Sequence, residues 1–133
     1  MTDRELVDKA LEARSGSYSP YSKYSVGAAL IAQNDSGEEK VFCGANVENA
    51  SYPCGVCAER VAVPKAVFEG FRNIKTLAVV GSSDVICTPC GMCRQFLNEF
   101  NPKLRILCAG SKGNYEEHIL DELLPFGFGP ENM

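Results

Sequence analysis

Two cysteine pairs, Cys54-x-x-Cys57 and Cys90-x-x-Cys93, carry the strongest chemical signal in the chain. This spacing turns both sulfurs of a pair toward one point, and Zn²⁺ is the natural metal for clustered thiolates. Each pair opens a predicted helix, where free N–H groups and the positive end of the dipole stabilise a thiolate. Spacing alone leaves three readings: a closed structural site of four cysteines, a redox dithiol, or a catalytic zinc site with three protein ligands and one open position. The single histidine, His118, excludes a site built from several histidines. Metal or nucleophile chemistry here rests on sulfur.

Cys57 is followed by Ala58 and Glu59. A carboxylate two residues after a ligand, in the first turn of a helix, can reach a water activated by the metal. It can take that water's proton and pass it to a substrate nitrogen. A structural zinc knuckle has no use for such a group. A glutamate at a helix start also simply complements the dipole. Its conjunction with Pro89-Cys90-Gly91-Met92-Cys93 is the rarer pattern.

A length of 133 residues fits one domain, residues 1–133, with no repeat, linker or low-complexity tract. Thirteen basic residues against seventeen acidic give a net charge of −4. The basic residues are scattered, so a polynucleotide partner is not expected. A single nucleoside remains compatible. No apolar run approaches the roughly 20 residues that span a bilayer, and no membrane association is expected. The start, Met1-Thr2-Asp3-Arg4-Glu5, lacks the apolar stretch of a leader. A cytoplasmic, reducing setting follows, in which Cys-x-x-Cys pairs are ligands or catalytic groups more often than disulfides. Seven cysteines, an odd count, also argue against a complete disulfide framework.

The elements that position these residues show in the apolar pattern. Thr2-x-x-Glu5 is a capping box, and Leu6, Val7, Ala10 and Leu11 follow at helical spacing, predicting a helix over residues 3–15. Residues 15–24 read as loop. Val26–Ala32 and Val41–Val47 form a predicted hairpin about the turn Asn34-Asp35-Ser36-Gly37. A helix is expected over residues 56–69, with Pro64 as a candidate kink. A strand over 77–81 and a helix over 89–100 come next, with Pro89 as first helical residue. Strands over 104–109 and 115–119 and a helical turn over 121–124 complete the chain. Alternating strands and helices imply an α/β protein: three layers, α/β/α, around a mixed central sheet of about five strands. The crossovers, residues 56–73 and 89–103, are long enough for parallel pairing.

Asn46 and Glu48 lie two apart on the second predicted strand and so share a face, with Ala45 and Val47 on the apolar side. An amide and a carboxylate together suit sugar hydroxyls. A polar strand end at a turn explains them equally.

Cys57-Ala58-Glu59 with Pro89-Cys90-x-x-Cys93 resembles the signature of the zinc-dependent deaminases. With cysteine at the first ligand position, the chain is similar to the small homotetrameric cytidine deaminases that act on free nucleosides. The likeness runs nearly end to end. It includes Ser19-Pro20-Tyr21-Ser22, Val26-Gly27-Ala28-Ala29, Asn46-Val47-Glu48-Asn49-Ala50, Arg94-Gln95, and Glu122-Leu123-Leu124-Pro125 through Phe128-Gly129-Pro130.

The resemblance implies hydrolytic deamination of cytidine and 2′-deoxycytidine, in pyrimidine salvage, with one Zn²⁺ per subunit. Cys57, Cys90 and Cys93 become the ligands and Glu59 the proton shuttle. The N–H groups of Ala58 and Cys90 hold the pyrimidine carbonyl and the oxygen at the reacting centre. Cys54 falls outside the ligand set, and Cys43, Cys87 and Cys108 become small buried hydrophobes, although Cys87-x-x-Cys90 also has ligand spacing. Zn²⁺ with three thiolates carries a net −1, and Arg60 matches the family position that draws charge from the sulfurs. Arg94 reads either as a second such group or as a surface arginine. Asn46 and Glu48 match the ribose-binding pair. Tyr24 stands where the family usually has Phe, near ring and sugar. Phe128 matches an aromatic that reaches a neighbouring subunit's site, and Tyr52 an interface position, which implies a homotetramer with shared active sites. A zinc deaminase of another cytosine-containing compound and a non-catalytic zinc-binding module are the alternatives.

Overall fold

The computed structural model describes residues 1–133. Thr2 caps helix α1 (Asp3–Ala13): its hydroxyl accepts from the Glu5 N–H while the Glu5 carboxylate accepts from the Thr2 N–H. A 3₁₀ turn, Arg14–Gly16, follows, so the α-helix stops short of the predicted boundary. Strands β1 (Gly27–Gln33) and β2 (Glu39–Ala45) form the expected antiparallel hairpin. The Asn34 side chain accepts from the N–H groups of Ser36 and Glu38, and Gly37 takes a φ of +87° that favours glycine.

Helix α2 (Ala58–Phe68), strand β3 (Asn73–Val80), helix α3 (Gly91–Asn98), strands β4 (Arg105–Ala109) and β5 (Tyr115–Ile119) and the short helix α4 (Leu120–Leu123) complete the fold. Several boundaries differ from the sequence reading. Helix α2 begins two residues late, because Val56 pairs with Val47 in an isolated bridge. It then runs through Pro64, which is exposed on its outer side. Strand β3 begins four residues early, at Asn73, where buried Ile74 and exposed Lys75 alternate. Pro89 lies outside α3, since Cys90 occupies the N-cap.

The sheet order is β2-β1-β3-β4-β5. Only β3 and β4 are parallel, joined by the crossover through α3. The crossover through α2 does not join parallel neighbours, because β1 lies between β2 and β3. Burial accounts for this order. Ala28, Ala29 and Leu30 of β1 are wholly buried, which suits a central strand, whereas β2 carries exposed Glu39 and Lys40 at an edge.

One face of the sheet packs against Leu6, Val7 and Ala10 of α1 through Ala29, Ala78, Val80 and Leu107. The other packs against Ala58, Ala62, Val63 and Ala66 of α2 and Leu97 of α3 through Leu30, Leu77, Val79 and Ile106. The arrangement is the three-layer one expected. Small residues let α2 ride close to the sheet: a Cβ on Gly44 of β2 would lie 2.7 Å from the Ala58 carbonyl oxygen and 2.8 Å from the Ala62 nitrogen. Ala45, Gly27, Val80 and Ala109 stand in register across one end of the sheet. The carboxyl ends of β2, β3 and β4 lie there, and α2 and α3 start close by, which is where open α/β sheets bind ligands.

Candidate active site

The starts of α2 and α3 bring Cys57, Cys90 and Cys93 together, with ligand atoms all within 4.8 Å of one another. Cys57 and Cys90 are the two N-caps, and Cys93 sits one turn into α3, fully buried. The Cys57 and Cys90 sulfurs are 3.6 Å apart. The adjacent Cys93, with help from Arg60 and Cys90, draws the Cys57 thiol down to about 5 against the cost of burial. Cys93 moves the opposite way, raised by the neighbouring Cys57 sulfur and by burial. Cys54 is exposed and outside the cluster. Cys108 is buried as expected, while Cys43 and Cys87 are only half-buried and lie outside the cluster too.

Glu59 stands in the first turn of α2 with 3% of its surface exposed. Burial pushes its carboxyl up to about 7. A carboxylate so placed is poised to gain and lose a proton near neutral pH. Arg60 donates from one guanidinium nitrogen to the Cys57 sulfur at 3.7 Å, and its Nε is buried without a partner. Arg94 does not join the sulfurs. It donates to Pro89 O at 2.7 Å and to Leu123 O at 2.8 Å, tying the segment before Cys90 to α4.

A cavity of about 450 Å³ opens beside Cys57, lined by Asn46, Val47, Glu48, Tyr52 and Val56 among others. Asn46 and Glu48 reach it from the segment after β2, not from the strand itself, which ends at Ala45. Val47, expected on the apolar side, is instead 45% exposed and forms bridges with Tyr18 and Val56. Much of the pair's hydrogen-bonding capacity is used within the chain. Asn46 Oδ1 accepts from Ser17 Oγ and the Val26 N–H, and Nδ2 donates to Tyr24 O at 2.9 Å. Glu48 Oε1 accepts from the N–H groups of Tyr21 and Ser22, and Oε2 accepts from the Ser22 hydroxyl. One amide N–H of Asn46 and one further acceptor position on Oε2 remain.

Three expected substrate-binding residues lie outside the lining of that cavity. Ala58 is buried at the first position of α2, where helix geometry leaves N–H groups without intrahelical partners. Tyr24 turns its hydroxyl toward Gly81 and Cys87. Phe128, 58% exposed, lies in the C-terminal arm. Gln95 and Asn98 grip the backbone of Phe128. Nothing in the sequence assigns them that task beyond the position of Gln95 after Cys93-Arg94. Tyr21 and Ser22 were visible only as parts of a matching motif.

Three soft sulfur donors within 4.8 Å of one another, with an unpaired buried guanidinium nitrogen beside them, fit Zn²⁺. Comparison with known proteins agrees. The family model for the cytidine and deoxycytidylate deaminase zinc-binding region matches residues 1–109. The chain is also 40% identical over 134 residues to a cytidine deaminase of Sporosarcina psychrophila, covering 100% of this chain and 96% of that one. The chain belongs to the zinc-dependent cytidine deaminase family. Within that family it is 42% identical to the cytidine deaminase of Halalkalibacterium halodurans over 98% of each chain. The crystal structure of the cytidine deaminase of Burkholderia pseudomallei superposes with a TM-score of 0.88 at 40% identity, covering 96% of this chain and 100% of the other. The mixed five-stranded sheet is thus the cytidine deaminase fold. The Cys57, Cys90 and Cys93 cluster is consistent with zinc binding.

Proposed function

We propose that the chain hydrolyses cytidine and 2′-deoxycytidine to uridine and 2′-deoxyuridine with release of ammonia, as a step of pyrimidine salvage. The observation that carries this reading is the buried Glu59 carboxylate in the first turn of α2, whose N-cap Cys57 belongs to the three-sulfur cluster. Zn²⁺ held by Cys57, Cys90 and Cys93, one per subunit, supplies a Lewis acid that makes hydroxide accessible at neutral pH.

The protein's own groups do the rest. Glu59 takes a proton from the attacking water and delivers it to ring N3 as the oxygen adds at C4. It then carries a proton to the exocyclic amine, which leaves as ammonia while the C4 carbonyl forms. Burial favours this exchange by bringing the carboxyl close to neutrality. The Ala58 N–H holds the pyrimidine carbonyl, and the Cys90 N–H holds the oxygen arriving at C4. Arg60 draws charge from the sulfurs.

The sugar binds through the remaining N–H of Asn46 and the remaining acceptor position of Glu48, so that the side chains that shape residues 17–26 also read the ribose. Tyr24 lies against ring and sugar. Tyr52, which lines the cavity, is 79% exposed, and Phe128 is also solvent-facing. In a homotetramer, Phe128 of one subunit covers its neighbour's site and Tyr52 packs at the interface. Seven free cysteines suit the reducing cytoplasm.

The test is the ultraviolet change when purified protein meets cytidine, free cytosine or cytidine monophosphate, with and without a chelator. Chelator-sensitive turnover that is fastest on the nucleoside supports this reading. Faster turnover of the monophosphate would redirect it to another substrate, and no turnover of any of the three would leave a zinc-binding module.

A further inference from the structure

Tyr24 carries a hydroxyl that a phenylalanine would lack, and the structure gives that hydroxyl a place. A Cβ on Gly81 would lie 2.0 Å from the Tyr24 hydroxyl oxygen, 2.8 Å from Cζ and 3.2 Å from the Cys87 Cβ. The hydroxyl therefore occupies the space that any side chain at position 81 would need. Gly81 does not have a left-handed φ, so glycine is there for room rather than for an unusual backbone conformation.

The walls of this niche are held in place. Gly81 O accepts from Arg14 at 2.6 Å. Immediately beyond, the Ser82 hydroxyl accepts from the Ser25 N–H and donates to Ser25 O, both at 2.7 Å. The backbone of Tyr24 is fixed from the opposite side by Asn46 Nδ2. Burial first, and then the adjacent Cys87 sulfur, push the phenol up to about 12, so it stays a neutral donor.

We propose that Gly81 is a positioning residue: with Cys87 it forms a seat for the Tyr24 hydroxyl, which anchors the phenol ring and does not bind the sugar. This rests on the reading of Tyr24 as a substrate contact. A side chain at position 81 displaces the ring, because the overlap lies with the Tyr24 hydroxyl and Cζ, with the Cys87 Cβ only 3.2 Å away on the same side chain's path.

The experiment is a four-protein cycle of wild type, Y24F, G81A and Y24F/G81A, followed by KM and kcat for cytidine and 2′-deoxycytidine, bound zinc and melting temperature. G81A raises KM by about tenfold, equivalent to ~1.4 kcal/mol, with zinc per chain unchanged. Adding Y24F removes the 2.0 Å overlap and returns KM to near the Y24F value. If G81A alone does not fold, recovery of folded, zinc-loaded protein in the double variant carries the same comparison. Wild-type kinetics in G81A, or a double variant as impaired as G81A, would overturn the proposal. Y24F shifts KM for the two nucleosides by the same factor; a loss confined to cytidine would return the hydroxyl to the 2′-OH and overturn it too. Y24A separates this from the substrate reading. An unchanged KM there removes Tyr24 from the site and ends the positioning role, whereas rescue of the G81A melting temperature by Y24F reports the seat alone.

Discussion

The side-chain amide of Gln95 holds both polar groups of Phe128: Nε2 donates to Phe128 O at 2.7 Å, and Oε1 accepts from the Phe128 N–H at 3.2 Å. Asn98, one turn further along α3, adds a bond to the same carbonyl at 3.1 Å. Helix α3 also carries Cys93, so one rigid element sets both a zinc ligand and the arm that bears Phe128. Q95A frees the arm. It raises KM for cytidine by about tenfold while zinc content stays at the wild-type level. F128A and Q95A are non-additive in a double-mutant cycle, since Gln95 acts by placing the ring that F128A removes. Additive losses would show that Gln95 acts elsewhere.

Arg60 links the charge of the cluster to the rest of α2 through its contact with Cys57. R60A leaves three sulfurs without their nearest cation. The expected cost is about 10–100-fold in zinc retention or turnover, as for other groups that support metal ligands. Chelator competition with parallel kinetics measures it, and wild-type values in both would remove Arg60 from the site.

Glu48 predicts an acid-side stability effect with a definite sign. The Ser22 hydroxyl, ahead of the N–H groups of Ser22 and Tyr21, holds its carboxyl below the ordinary 4.5. A depressed folded-state value contributes stability that is full above 4.5 and is lost as pH falls through the lowered value. E48Q therefore melts below wild type at neutral pH, and the two converge once Glu48 is protonated. A melting-temperature gap that persists unchanged in acid would contradict this.

Close approach of α2 to β2 connects packing to the metal cluster. G44A drives a methyl into the Ala58 carbonyl and the Ala62 nitrogen, at the end of α2 that begins with Cys57. The expected cost is about 1–3 kcal/mol of stability, together with weaker zinc binding. Differential scanning calorimetry with metal analysis checks both, and an undisturbed melting temperature would show that α2 can lift without strain.

Helix α1 was legible because its signals are local: Thr2 and Glu5 form in space the reciprocal bonds their spacing implies. The hairpin was legible for the same reason, since Asn34 and Gly37 shape the turn without outside help. Cys57, Glu59, Cys90 and Cys93 were legible as ligand and acid-base types at close spacing. The strand order was not, because insertion of β1 between β2 and β3 depends on which strand buries both faces, a property of the whole sheet. The internal bonds of Asn46 and Glu48 were hidden because their partners lie 20 to 29 residues away. The Gln95–Phe128 contact spans 33 residues and ends on a backbone group, which leaves no mark on residue type.

The most direct measurement pairs bound zinc with cytidine turnover in E59Q. Glutamine keeps the shape of the buried side chain and removes its capacity to carry a proton. E59Q is expected to hold zinc at the wild-type level per chain and to lose about 10²–10⁴ in turnover, the usual weight of a positioned acid-base group. Wild-type turnover by zinc-loaded E59Q would contradict the assignment of Glu59 as the proton carrier.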